Sequence, residues 1–317
     1  MGILCMGIIN MNALDNLHFN LGGNEYAPVI EAHLDLSGLS MTEMVYKNPS
    51  GEDLISTIDW DMGPQMAAGI GFYIGPVDPF RKMGFSLGGL CRWYFPVNDR
   101  NMTDTDWDDD GTKTSYGESP ASALSGMDAE GTFAAHFPIQ NKYVIEVMAE
   151  LWYGRYAVIA HDGWTSWDGG AKKTRLYGAA VEYIQEWITF APGIGFRRKL
   201  KDSHIGVKAA LSPFIWGYHI DNHYFRQLED DDPYQKYMSY LDRTTGGIYY
   251  HLRADWLWNI TQYVQLNIAL NYRAIEHSRG DTTITTAGLA GYSFLETGTA
   301  GAAARSGSLD MTIRAVL

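Results

Sequence analysis

Hydrophobic and polar residues alternate along most of the chain. From Val264 the order is Val, Gln, Leu, Asn, Ile, Ala, Leu, Asn, Tyr, Arg. Val264, Leu266, Ile268, Leu270 and Tyr272 therefore share one face, and Gln265, Asn267, Ala269, Asn271 and Arg273 share the other. The C-terminal run sets Leu309, Met311, Ile313, Ala315 and Leu317 against Ser308, Asp310, Thr312 and Arg314. The same period recurs at Ile30–Leu36, Ile145–Trp152 and Tyr250–Trp256. Successive side chains of a strand point to opposite faces, whereas a helix repeats every 3.6 residues, so the pattern predicts strands nearly throughout. The longest of these runs exceed the usual strand of about five or six residues. They reach the roughly 9–11 tilted residues that cross a bilayer. Charges of both signs recur on the polar face, where the interior of a closed barrel could pair them.

Turn signals set the strand count. Tight turns are expected at Gly75–Pro79, Pro138–Lys142, Lys201–His204 and Asn259–Gln262. Between them lie polar connections at 47–53, 97–124, 161–175, 221–242 and 277–302. Short turns at one end and long loops at the other predict an all-β fold, a ten-stranded antiparallel transmembrane β-barrel. Residues 28–317 form its single domain, and residues 1–27 an N-terminal extension. The opening MGILCMGIINMNALDN has a short apolar core without a basic lead, which suggests a clipped export signal or a tail.

Composition narrows the solvent and the partners. The 10 Trp, 20 Tyr and 34 Gly among 317 residues suit aromatic interface belts and tight turns. Charged residues are 19%, below the usual quarter or so. The net charge of −13 argues against nucleic acid, which needs a basic footprint. Cys5 and Cys91 have no metal-type spacing, and no apolar stretch is long enough for a membrane helix.

Two polar clusters could carry chemistry. Asp104 and Asp106 stand two residues apart in Asn101-Met102-Thr103-Asp104-Thr105-Asp106-Trp107. Asp221 and His223 have the same spacing in Asp221-Asn222-His223-Tyr224. In extended chain each pair faces one way. Two close carboxylates tend to share a proton, and an Asp beside a His orients the ring, so the two pairs across a cleft could activate a water. A solvated acidic loop and a calcium loop compete for Asp104–Asp110. Asp106-x-Asp108-x-Asp110-Gly111 begins like an EF-hand, but its twelfth position is Gly117. No metal site is expected.

Together these residues resemble the omptin family of outer-membrane proteases, ten-stranded barrels with an active-site cleft at the extracellular mouth. The resemblance runs from about Leu34 to the C-terminus. It rests on Asn101-Met102-x-Asp104-x-Asp106-Trp107 and Asp221-x-His223-Tyr224 in that order, supported by Leu36-Ser37-Gly38, Glu43-x-Val45-Tyr46, Ile55-Ser56-x-Ile58-Asp59-Trp60 and Arg155-Tyr156. It implies an aspartic-type endopeptidase in the bacterial outer membrane, acting on cationic peptides or proteins, without a cofactor other than lipopolysaccharide. His223 would be the general base and Asp221 its orienting partner. Asp104 and Asp106 would position the water and stabilise the reacting carbonyl. Glu43 would line the pocket for a basic P1 side chain. The pocket's second acid falls on His219, which makes a relaxed or a pH-dependent preference the expectation. Arg155 would bind a lipopolysaccharide phosphate, although a neighbouring basic position holds Glu186. Glu229–Asp232 would add acid at the mouth. A non-catalytic barrel of the same lineage, acting as an adhesin or structural protein, is the alternative, and a small porin a more distant one.

Overall fold

The computed structural model describes residues 17–49, 53–97, 99–167, 172–224, 238–286 and 293–317. The acidic run Glu229–Asp232 and residues 1–16 lie outside them. The strands are β1 (Phe19–Leu21), β2 (Asn24–Tyr46), β3 (Leu54–Pro76), β4 (Gly84–Pro96), β5 (Arg100–Trp107), β6 (Lys113–Ile139), β7 (Tyr143–His161), β8 (Trp164–Trp167), β9 (Lys172–Arg175), β10 (Ala179–Lys199), β11 (Ser203–Ser212), β12 (Ile215–His223), β13 (Met238–Thr245), β14 (Ile248–Asn259), β15 (Val264–Thr286) and β16 (Ser293–Val316).

The ladders close into a ring. β2 pairs with β3, and β3 pairs with β4 and β5, which both pair with β6. β6 pairs with β7 and β7 with β10, and β10 pairs with β11 and β12. These lead to β14 and β13, then to β15 and β16, and β16 returns to β2. Since β4 with β5, β11 with β12 and β13 with β14 are each one interrupted stave, the ring has ten antiparallel staves. A closed ring leaves no strand edge unpaired, which is what a bilayer requires. The hairpin β8–β9 extends beside β6 at the long-loop end, and β1 folds back on β2 at the other end.

Side-chain alternation sorts the two faces as the sequence implies. Leu34, Leu270, Leu309, Val147 and Leu252 point outward and are exposed, while their strand neighbours His33, Asp310, Glu150 and His251 are buried in the lumen. Charges of both signs pair there. Arg92 reaches Asp128 at 2.8 Å, Arg197 reaches Glu146 at 2.9 Å, Arg273 reaches Glu130 at 2.8 Å and Arg314 reaches Glu31 at 2.8 Å. A polar cavity of about 130 Å³ remains among them.

Above this layer the lumen turns aromatic. Trp60, Met41, Met62, Trp152, Tyr183, Trp187 and Tyr249 pack into one buried cluster. At the short-turn end, the segment between β3 and β4 folds across the opening. Phe80 is buried with its ring 5.8 Å from His204, and Asp78 is held by Lys199 at 3.0 Å.

The turns fall where expected, but the connections are shorter than the sequence suggests. The turn at Gln140 and Asn141 has φ of 53° and 54°, the two positive values of a tight hairpin turn. The expected loop 97–124 is instead mostly ladder, because β5 and β6 pair on from Arg100 to Lys113. The region 277–302 likewise continues β15 and β16. The staves project past the bilayer as paired strands, which satisfies their backbone groups without long irregular loops. β2 starts at Asn24, inside the stretch assigned to the extension.

Candidate functional site

The outward-facing Arg155–Glu186 ion pair, 2.8 Å apart, marks the outer limit of the apolar belt on β7 and β10. Below it the exposed side chains include Val147, Leu151, Ile188, Phe190, Ile194 and Phe196. The two polar clusters lie beyond that limit, on inward-facing positions of the projecting staves.

Asp104 and Asp106 sit on β5 rather than in a loop. Their ladder partners are Ile58 and Ser56 on β3, and Gly117 and Ser115 on β6. The Ser115 hydroxyl donates to Asp106 Oδ2. Asp108 and Asp110 turn to a different task. The Thr112 amide donates to Asp108 Oδ1 at 3.0 Å and Asp110 Oδ1 at 2.9 Å, and the Asp110 amide donates to Asp108 at 3.2 Å. These oxygens brace the turn that ends at Gly111, with its φ of 80°. That accounts for the Asp-x-Asp-x-Asp-Gly string as turn chemistry.

Asp221 and His223 share one face of β12 and are both buried. Asp221 Oδ2 is hydrogen-bonded to His223 Nε2, which leaves Nδ1 as the ring nitrogen not engaged by the carboxylate. Tyr240, opposite Asp221 in the ladder, presents its ring edge-on to His223 with centroids 5.2 Å apart.

The aromatic cluster brings the two walls together. Trp60 on β3 is the ladder partner of Met102, two residues before Asp104. Tyr183 on β10 is the ladder partner of Asp221. Their rings stack across the lumen at 5.9 Å and 10°. The Asp104–Asp106 pair and the Asp221–His223 pair thus project from facing walls above one aromatic bridge.

The other expected residues divide. Glu43 on β2 is 3% exposed and faces inward. His219 is fully buried, packed on Trp187 at 4.4 Å and bonded through Nε2 to Thr244 at 3.1 Å. Burial pulls its pKa down to about 3, so the ring stays neutral and His219 is not the source of a pH dependence near neutrality. Arg155 faces the membrane side, where its guanidinium is bound to Glu186 and donates to Ser125 at 3.3 Å.

Sequence reasoning missed Asp242. It lies on β13 directly across the ladder from His219 and is 3% exposed. Burial pushes its carboxyl up to about 7, helped by the negative charge of Asp221 and opposed by a hydrogen bond from Thr282. The Tyr183 phenol is pushed well up by its own burial, and the charges of Glu43, Asp242 and Asp221 act in the same direction. The negative charges of three carboxylates are thus felt at that hydroxyl. The sequence signal was the alternation Tyr240, Asp242, Thr244, hidden because 221–242 reads as a connection.

A closed ten-stranded antiparallel transmembrane β-barrel defines the class. The model of the Omptin family matches residues 32–313, and the chain belongs to that family. Among solved structures it is similar to the outer membrane protease OmpT from Escherichia coli, with a TM-score of 0.77 and 17% identity over 92% of this chain and 97% of that one. Looser matches include the β domain of the Bordetella autotransporter BrkA, with a TM-score of 0.33 and 11% identity over 92% and 100% of the two chains. The toluene transporter TodX of Pseudomonas putida has a TM-score of 0.31 and 6% identity over 92% and 90%. No curated protein matches the chain.

Proposed function

We propose that the protein is an outer-membrane endopeptidase whose cleft opens to the cell exterior and hydrolyses a peptide bond with one water. The observation that carries this reading is the bonded Asp221–His223 pair on the wall facing Asp104 and Asp106, above the Trp60–Tyr183 bridge. His223 Nδ1 takes a proton from the water as its oxygen attacks the scissile carbonyl carbon. Asp221 holds the ring through Nε2 and stabilises the imidazolium that forms. Asp104 and Asp106 position the water from the facing wall and stabilise the carbonyl on which charge develops. The imidazolium then returns its proton to the leaving amine, and the C–N bond breaks without an acyl-enzyme.

Glu43 faces the side chain preceding the scissile bond and favours a basic one, and the neutral His219 forms part of the floor beside it. Lipopolysaccharide acts from outside through Arg155, where a lipid phosphate competes with Glu186.

The test uses protein refolded in detergent, with and without lipopolysaccharide, and a dibasic fluorogenic peptide plus a broader peptide library. His223→Ala and Asp104→Ala are expected to lose about a hundredfold or more of wild-type activity, the scale of general acid–base catalysis. Wild-type cleavage no faster than either variant across pH 5–8 would sink the peptidase reading and leave a non-catalytic barrel.

A further inference from the structure

Lower in the barrel the buried carboxylates are answered by cations of the fold. Asp128 has Arg92, Glu146 has Arg197, Glu150 has His251, and Asp310 has His33 at 3.1 Å. Asp242 differs. It is as buried as they are, its Oδ1 accepts no hydrogen bond, and no Lys or Arg among the described residues pairs with it. The charged group acting on it is another carboxylate, Asp221, and its polar neighbour on β15 is Thr282. A buried carboxylate without a counter-charge is expensive, so such a group either stays protonated or awaits a cation from outside.

The surroundings fit an organic cation better than a metal ion. Among the described residues, the acidic and imidazole groups that converge within 4.8 Å are Glu130, Glu150 and His251, deep in the lumen. The carboxylates at the mouth are spread instead around an aromatic ring, Asp242 and Asp221 on one wall and Glu43 on another, all acting on Tyr183. Tyr183 offers a flat face, and the His219 ring lies 6.3 Å from it. An alkyl stem ending in several N–H donors can lie along such a wall and reach separate carboxylates, and a planar guanidinium stacks well on aromatic faces.

We propose that Asp242, together with Glu43, receives the guanidinium or ammonium group of a substrate side chain and is the residue that sets preference for a cation over an uncharged side chain. The proposal rests on the reading that a peptide lies in this cleft. It adds a residue on β13, opposite His219, to the recognition site.

The experiment compares wild type, Asp242→Asn and Asp242→Glu at pH 8, each checked for the folded band on unboiled gels. Cleavage is measured with two peptides differing only in arginine or citrulline before the scissile bond. Binding of agmatine and of its uncharged urea analogue is measured by calorimetry, which needs no cleavage. Asp242→Asn is expected to lower the arginine-to-citrulline ratio of kcat/KM by about tenfold or more, the scale of removing one partner of a desolvated charge pair, with the loss on arginine alone. Agmatine affinity should fall in parallel, and Asp242→Glu should restore most of both. An unchanged ratio with unchanged agmatine affinity, or equal losses on both peptides, would overturn the proposal. If wild type cleaves neither peptide, the peptidase reading fails by itself, and agmatine affinity still decides the role of Asp242.

Discussion

Single atoms decide much of what the cleft can do. Ser115 Oγ holds Asp106 Oδ2 from the neighbouring strand, a charge-assisted bond of the kind worth about 1.5–3 kcal/mol. Ser115→Ala is expected to lower kcat by about tenfold or more while KM stays near the wild-type value, because the acid pair loses its orientation and the substrate contacts do not change. A rise in KM with unchanged kcat would instead place Ser115 in substrate binding. Asp242 brings a pH dependence. Its carboxyl, pushed up to about 7, is largely charged above that value and largely neutral below it. The groups facing it are Asp221 and the neutral His219 on β12 and Thr282 on β15, with Glu43 nearby across Tyr183. KM for a cationic peptide should therefore rise as pH falls through 7, and Asp242→Asn should flatten that rise. A wild-type KM independent of pH from 6 to 8 would contradict the assignment. On the outer face, Glu186→Gln frees the Arg155 guanidinium from its partner at 2.8 Å. Stimulation by lipopolysaccharide should then reach half-maximum at a lower lipid concentration, and an unchanged or higher half-maximum would argue against Arg155 as the lipid contact.

Among the elements, the projecting ladders matter most. β5 with the first half of β6, and the outer parts of β12 and β13, stand beyond the apolar belt and carry the polar pairs on ladder-paired backbone. Trp60 and Tyr183 tie these walls to each other. Trp60 is 1% exposed, so Trp60→Ala should destabilise the barrel by about 3–5 kcal/mol. The loss should appear as a lower temperature for conversion of the folded band in gels. These elements also show how far the sequence could be followed. The membrane staves were legible because one face meets lipid and the other a polar lumen, which forces strict alternation, as at Val264–Arg273. The two pairs proposed to activate the water were visible as local spacing, Asp104 with Asp106 and Asp221 with His223. Ser115 and Asp242 were not. Each gains its place from a neighbouring strand, and each lies in a stretch whose polar, turn-rich composition reads as loop. Above the bilayer both faces meet water, so the alternation that marks a strand fades while the ladder hydrogen bonds continue.

For the whole molecule, the lumen is layered: ion pairs and a small cavity in the membrane span, an aromatic bridge above, the polar cleft at the mouth. The net charge of −13, first only an argument against nucleic acid, has one part at that mouth, in Asp104, Asp106, Asp221, Asp242 and Glu43. Such a filled barrel should pass no steady ion current in a planar bilayer, and a stable open conductance would contradict the packing described. The turn carrying Phe80 and Asp78 closes the opposite end. With that end capped and the span filled by ion pairs and aromatic rings, the described residues leave no open channel through the barrel. A change of acidity on the capped side is therefore expected to leave the ionisation of Asp242 unchanged. Asp242 would then answer to the medium at its own mouth and to no other.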